Sequence, residues 1–263
     1  MKQPKTRQRT HRKRDHTMSR LTESIDNYGL ELSFKAGETV TGEDWPKHKL
    51  GRIGSSAILE NCNFEGTSAK QVILGGAGWT AEFRNCSFDN TRLKYIIGEA
   101  KFINCTFRNA RLTEFRVNPL TLINCDFSGA LLLRCQFWGA PTPHDLKDRP
   151  SLNPVNEVHG NDFSTATFDD SDFRGGVNLT LQQLPTGQDY AISLDGNAAL
   201  QRATALVDSW GPEREEDQTR ARSWINIWQR GIDRGQNHLF AVWPKKRLTP
   251  ESWTELRQTI NET

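Results

Sequence analysis

Residues 105–137 read CTFRNARLTEFRVNPLTLINCDFSGALLLRCQF, and apolar residues recur through this stretch with a period of five. The large members of the series are Phe107, Leu112, Val117, Leu122, Phe127, Leu132 and Phe137. Small residues precede five of them by two positions, namely Cys105, Ala110, Cys125, Ala130 and Cys135. A period of five fits neither an α-helix nor a β-strand. It fits a coil with four short sides, on each of which the large and the small residue point inward.

The same unit occurs on both sides of this stretch. The cysteines of the recurring Asn-Cys-X-Phe motif, Cys62, Cys86, Cys105 and Cys125, and of its variant at Cys135 are spaced by 24, 19, 20 and 10 residues. The first two spacings are each one residue short of a multiple of five, which predicts distorted corners there. Later units are centred on Phe163, Phe168 and Phe173.

These units resemble the repeat of the pentapeptide-repeat family, which consists of a small residue, Asp or Asn, Leu or Phe, and two mostly polar residues. The matching units include CNFEG, CSFDN, CTFRN, ARLTE, CDFSG, NDFST, ATFDD and SDFRG. The resemblance implies a mainly β fold, a right-handed quadrilateral β-helix. We therefore predict this β-helix at residues 53–179, after an N-terminal cap at 21–52 and before an α-helical region at 180–263.

A coil of this kind cannot bury its apolar residues alone, so stability comes from stacking coils on one another. The predicted interior comprises Phe64, Phe88, Phe107, Phe127, Phe137, Phe163, Phe168, Phe173, Cys86, Cys105 and Cys125. The cysteines serve there as small hydrophobic residues. The chain has five cysteines and no Cys-X-X-Cys pair, so we expect no disulfide, no metal site and no cofactor.

The basic residues are concentrated at the N-terminus. Residues 1–20 have a net charge of +7, whereas the remainder has −5. We predict a disordered basic tail, with three interpretations open: translation that starts at Met18, an arm that attracts nucleic acid or another anionic surface, or a targeting segment. The acidic body argues that nucleic acid would bind through the tail alone.

The repeat is interrupted at residues 139–160, which contain four prolines. Proline lacks the N–H donor that a strand ladder needs, so this segment is predicted to be an inserted loop. Loops of this length on a rigid scaffold are uncommon. It either bridges two stretches of the β-helix or takes part in binding.

The coil after the loop is acidic. Asp162, Asp169, Asp170 and Asp172 flank its inward phenylalanines and are predicted to face outward. Some members of the resembled family are similar to the DNA duplex in shape and charge, bind type II topoisomerases such as gyrase and protect them from inhibitors. These four aspartates are the candidate binding residues for that function. The alternative is an ordinary solvated acidic surface.

The C-terminal third changes to helical periodicity. Asp195 is suited to cap a first helix, and acids from Glu213 onward favour the start of a second. A third is predicted to begin at Thr249-Pro250. Five of the eight tryptophans lie in this region. They either pack over the end of the β-helix or form an interface with a partner or with a second copy of the chain.

No stretch of the sequence matches the motifs of hydrolases, metalloproteases or phosphate-binding loops. The longest aliphatic run, residues 130–133, is far shorter than the roughly 20 residues that span a bilayer. We therefore expect a cytoplasmic, non-enzymatic scaffold that binds another macromolecule, most simply a protein, with no membrane partner.

Overall fold

The computed structural model of the chain describes residues 20–23, 29–76 and 78–261. Except for Arg20, the predicted basic tail of residues 1–20 lies outside the described residues. The predicted fold class, a mainly β protein built as a right-handed quadrilateral β-helix with an α-helical C-terminal region, is confirmed.

Short strands form the coils of the β-helix. They are β1 (Leu21–Glu23), β2 (Leu30–Phe34), β3 (Thr39–Thr41), β4 (Lys49–Ser55), β5 (Ile58–Glu60), β6 (Ser68–Leu74), β7 (Ala81–Arg84), β8 (Arg92–Ile103), β9 (Arg111–Ile123), β10 (Leu131–Leu133), β11 (Gln136–Trp138), β12 (Val158–His159), β13 (Asn161–Asp162), β14 (Thr167–Asp169), β15 (Asp172–Arg174) and β16 (Gln182–Gln183). A helix, α1 (Pro143–Asp148), lies between β11 and β12, and a 3-10 turn, Leu179–Leu181, precedes β16. The C-terminal elements are β17 (Tyr190–Ser193), α2 (Gly196–Asp208), a 3-10 turn at Pro212–Arg214, α3 (Glu215–Ile232), β18 (Leu239–Val242) and α4 (Pro250–Asn261).

Residues at the same position in successive coils lie one above another, and we call each such set a column. Parallel pairing of β4 with β6, β6 with β8 and β8 with β9 keeps the coils in register. One inward column consists of the rings of Phe64, Phe88, Phe107, Phe127 and Phe163, with successive centroid separations of 4.8, 4.9, 4.8 and 4.5 Å. This spacing matches the distance between paired strands, about 4.7–4.9 Å, so each ring fills the space between its neighbours.

The interior of the coils is closely filled. Every residue of the predicted interior is at most 5% exposed. All five cysteines are buried and carry free thiols. A hydrogen bond with Cys105 raises the pKa of Cys86 to about 12, and burial raises the pKa of Cys135 to about 11. These thiols therefore remain protonated at neutral pH.

The β-helix begins earlier than the predicted boundary at residue 53. Leu32 of β2 lies opposite Ile53 of β4, and Val40 of β3 lies opposite Leu59 of β5. Residues 30–52 thus form a first coil instead of a separate N-terminal cap. Trp45 occupies the phenylalanine column there, its ring centroid 5.2 Å from that of Phe64, and this replacement of Leu or Phe by Trp conceals the repeat in the sequence.

Irregular corners accompany the shortened spacings, as predicted. Gly76 and Trp79 pair in an isolated antiparallel bridge at one corner. At another, Gly98 has a φ of 105°, and a Cβ there would lie 1.8 Å from the carbonyl oxygen of Leu74. No other residue fits this approach, and the pairing of β8 with β9 shifts register just after it.

The inserted segment differs from the predicted loop in containing a helix. Thr142 and Asp145 form a capping box, and Pro143 occupies the first helical turn, so α1 is stable in a stretch that its prolines mark as irregular. The β-helix also resumes before residue 160, because Val158 and His159 pair with the end of β9.

The three predicted C-terminal helices are present. The side chain of Asp195 accepts a hydrogen bond from the Ala198 N–H at the start of α2, and Thr249 caps Ser252 at the start of α4. The 3-10 turn at Pro212–Arg214 displaces the start of α3 from Glu213 to Glu215.

An unpredicted antiparallel pair, β17 with β18, joins these helices to the β-helix. The ring of Phe240 on β18 lies 4.9 Å from that of Phe168 and 5.4 Å from that of Phe173. The helices pack beyond it around Leu200, Trp253 and Leu256. The C-terminal region therefore covers the last coil, which would otherwise expose an unpaired edge.

Candidate charged interface

Carboxylates line one side of the β-helix, the side whose inward residues form the phenylalanine column. We call this surface the acidic face and define it by five carboxylates and one guanidinium. They belong to Asp44, Glu65, Asp89, Asp126, Asp162 and Arg108.

Backbone pairing places these side chains in two parallel columns. The first runs through successive bridges from Asp44 to Asn63, Ser87, Thr106, Asp126 and Asp162. The second follows the phenylalanines and consists of Glu65, Asp89, Arg108, Ser128 and Ser164. Since each side is flat and the columns are in register, acids far apart in sequence share one surface.

Short hydrogen bonds orient the acids at the centre of the face. Ser128 donates its N–H and its hydroxyl to Asp126 Oδ1 at 2.8 and 2.5 Å, and Arg108 Nε donates to Oδ2 at 2.6 Å. Partial burial opposes ionisation of Asp126, but these hydrogen bonds outweigh it and hold its pKa below the ordinary value. Asp89 Oδ1 accepts the Arg108 N–H at 2.8 Å. The carboxylates are thus fixed in position instead of moving freely.

A ladder of asparagines borders the acidic face. Asn61, Asn85, Asn104 and Asn124 all adopt a left-handed backbone with φ of 52–54°. The amide of each of the last three donates to the side-chain oxygen of the asparagine in the preceding coil, at 3.3–3.4 Å. Asparagine tolerates this conformation better than most residues, and the ladder keeps the edge of the face straight.

The four predicted aspartates do not lie on one surface. Asp162 belongs to the acidic face, Asp169 faces outward beside Phe168, and Asp170 occupies a corner with a φ of 50°. Asp172 lies on a further side, where Arg174 Nε and Nη2 donate to it at 2.8 and 2.7 Å. Burial raises the pKa of Asp172, against the opposing effect of Arg174.

The acids of the earlier coils, which the sequence shows interrupted by arginines, are less interrupted in space. Arg111 follows β9's first position on the neighbouring side, and Arg134 lies at a corner, where it binds Glu114 at 3.0 Å. Of the three arginines that break the acidic series along the chain, Arg108 alone lies on the acidic face. Only the register of the coils distinguishes these cases.

A cleft of about 270 Å³ opens between the last coil and α3. Its titratable side chains include Asp172 and His238, and each is engaged structurally: Asp172 accepts from Arg174, and His238 Nδ1 accepts the Leu179 N–H at 3.1 Å. Across residues 20–23, 29–76 and 78–261, no three His, Cys, Asp or Glu side chains converge as metal ligands would. In the same described ranges, no helix has the length and apolar character needed to cross a bilayer.

No protein-family model matches the sequence, and no curated protein matches it. Solved structures of similar fold include a pentapeptide repeat protein, Rfr23, from the cyanobacterium Cyanothece 51142, with 15% identity, coverage of 54% of this chain and 86% of that one, and a TM-score of 0.20. QnrB1, a plasmid-mediated fluoroquinolone resistance protein, is 15% identical over 58% of this chain and 81% of its own, with a TM-score of 0.24. At such scores the assignment of the fold stands on the coil geometry itself.

Proposed function

We propose that this β-helix of pentapeptide repeats is a non-enzymatic scaffold and that its acidic face binds a protein with a basic surface. The observation that carries the proposal is the alignment of Asp44, Asp126 and Asp162 in one column, with Glu65 and Asp89 beside it. A charged surface of one sign steers an oppositely charged partner and favours its binding.

The test compares two triple variants of the full chain as baits in a native lysate. Asp44→Asn, Glu65→Gln and Asp89→Asn remove three charges from the acidic face while keeping side-chain shape. The matched control, Glu213→Gln, Glu215→Gln and Glu251→Gln, removes three exposed charges from the C-terminal region. We expect partners of the unmodified chain, identified by mass spectrometry, to be lost from the first bait and kept by the second. Equal retention by both baits would exclude the acidic face.

A more specific form of the proposal is that the face replaces DNA on a type II topoisomerase. The family resemblance motivates it, and the rigid acidic column supports it, because a mimic needs negative charges held in line. The unmodified chain should then inhibit DNA supercoiling by gyrase. Absence of inhibition would remove this form and leave the scaffold with another partner.

Two sets of acids can be distinguished in the same assay. If the acidic face is responsible, the triple variant of Asp44, Glu65 and Asp89 relieves inhibition. If the acidic coil predicted from sequence is responsible, charge reversal of Asp169, Asp170 and Asp172 relieves it instead.

A further inference from the structure

Cations line the side of the β-helix next to the acidic face. Their first column follows the register Lys49, Ser68, Arg92 and Arg111 through four successive coils. Lys70 and Lys94 lie beside it, each directly after the inward residues Ala69 and Leu93, which pair with one another. We call this surface, made of Lys49, Lys70, Arg92, Lys94 and Arg111, the basic face.

The five cations of the basic face are exposed, and none forms an ion pair with any residue that the structure describes. The nearest carboxylate along the chain, Glu114, is already bound by Arg134 at 3.0 Å and lies 3.7 Å from Arg116. On the acidic face, by contrast, Arg108 is paired with Asp126. The positive charge of the basic face is therefore not neutralised within the described part of the fold.

The other outward side chains of this side indicate what it contacts. On these four coils they are Ser68 and Thr113, so the surface presents lysine, arginine, serine and threonine, without a carboxylate or an apolar side chain. Contacts to phosphate oxygens use these residue types, whereas protein interfaces depend on aromatic and apolar anchors. The series ends at the next coil, where Leu131 stands opposite Arg111.

We propose that the basic face binds the phosphate backbone of a nucleic acid. Four coils at about 4.8 Å spacing give a row of roughly 14 Å, the axial length of about four phosphates of one strand at 3.4 Å each. Residues 1–14 contain seven further lysines and arginines and precede the first coil in sequence. This partner differs in charge and location from the one proposed for the acidic face, so neither inference depends on the other.

An exposed aromatic residue at the edge of the basic face distinguishes two kinds of nucleic acid. Tyr95 directly follows Lys94, is 53% exposed and has a left-handed backbone with a φ of 48°. Proteins that bind single strands combine basic tracks with aromatic rings on which bases stack. Tyr95→Asn removes the ring and retains a residue type that tolerates this conformation.

The test measures binding of the full chain to a labelled 20-nucleotide single strand and to the matching duplex across a salt series. The face variant carries Arg92→Gln, Lys94→Gln and Arg111→Gln. Its matched control carries Lys147→Gln, Lys246→Gln and Arg247→Gln, which remove three exposed cations elsewhere. Both variants keep the N-terminal residues, so any contribution from these cancels. A second face variant, Lys49→Gln with Lys70→Gln, tests two other coils.

We expect the face variant to bind at least about tenfold more weakly in 0.1 M salt, and its plot of log affinity against log salt to flatten by about 2 to 3. The control should change affinity less than about threefold. Tyr95→Asn should weaken single-strand binding more than duplex binding if bases stack on the ring. Equal losses in the face variant and the control would overturn the proposal. Equal affinity for poly-glutamate of the same charge would also overturn it, in favour of an acidic protein.

Discussion

The inside and the outside of the same coils follow different rules. Within the stack, Phe88, Phe107 and Phe127 are nearly parallel rings whose neighbours fix their size and orientation. Outside, the residue before each of them changes freely from Ser87 to Thr106 to Asp126 along one column. Inward positions are selected by what lies above and below, whereas outward positions need only be polar. The outside is therefore where one β-helix can differ from another in function.

The largest effect that tests this contrast is expected in the phenylalanine column. Phe127 is fully buried, with ring centroids 4.8 and 4.5 Å away on its two sides. Phe127→Ala should lower the free energy of unfolding by about 3–5 kcal/mol, because it removes apolar contacts and leaves a cavity. Phe127→Leu, which keeps most of the volume, should cost less than about 1.5 kcal/mol. Urea denaturation measures both, and equal losses would show that the column does not select for size.

A neighbouring pair of residues gives a sharper comparison. Asn161 is fully buried, accepts the Cys125 N–H at 2.9 Å and donates to the Leu122 carbonyl at 2.9 Å. Asp162 points outward. Asn161→Ala should cost about 1–3 kcal/mol, since it leaves buried backbone groups unpaired. Asp162→Ala should change stability by about 0.5 kcal/mol or less. The contrast fails if thermal or chemical unfolding ranks the two in reverse.

Alkaline pH should act on the inside alone. Below pH 9.0, the ordinary thiol pKa, the folded and unfolded chains both keep the Cys135 proton. Between there and the folded pKa of about 11, only the unfolded chain loses it, so the free energy of unfolding falls by about 1.4 kcal/mol per pH unit from this thiol. Cys135→Ala should make the decline shallower in urea titrations at successive pH values. An unchanged slope would contradict this assignment.

The smallest effect is expected on the acidic face. Arg108 is exposed and pairs with Asp126 at the surface, where ion pairs contribute little to stability. Arg108→Gln should leave the thermal unfolding midpoint unchanged within error. Because it also makes the acidic face more negative, it should strengthen binding to the basic partner proposed for that face. A marked loss of stability would show that the outside is constrained as the inside is.

The inside was the predictable part of the fold. The five-residue period identifies the inward residues directly, because burial on every side of the coil imposes the same choice of residue. It fails at Trp45, where a different aromatic residue fills the phenylalanine column. It also says nothing of β17 and β18, whose pairing depends on residues about 50 positions apart.

The charged faces could not be predicted in the same way. Which outward residues share a side depends on the register, and the irregular corners near Gly76 and Gly98 shift it. The sequence therefore groups Asp169, Asp170 and Asp172 by proximity, although they project from different positions around the coil. Asp44 and Asp126 are 82 residues apart, yet they stand in one column.

The inserted segment leaves the stack after Gly139 and rejoins it at Asn156, where the Asn156 N–H donates to the Gly139 carbonyl at 2.8 Å. Because its two ends meet, the coils above and below are indifferent to the length of chain between them. This corner is a ready place for grafting: a fluorescent protein or an affinity epitope inserted at exposed Pro154 should be displayed without disturbing the stack. The same geometry explains how a rod of repeats can acquire a new module in a single insertion event.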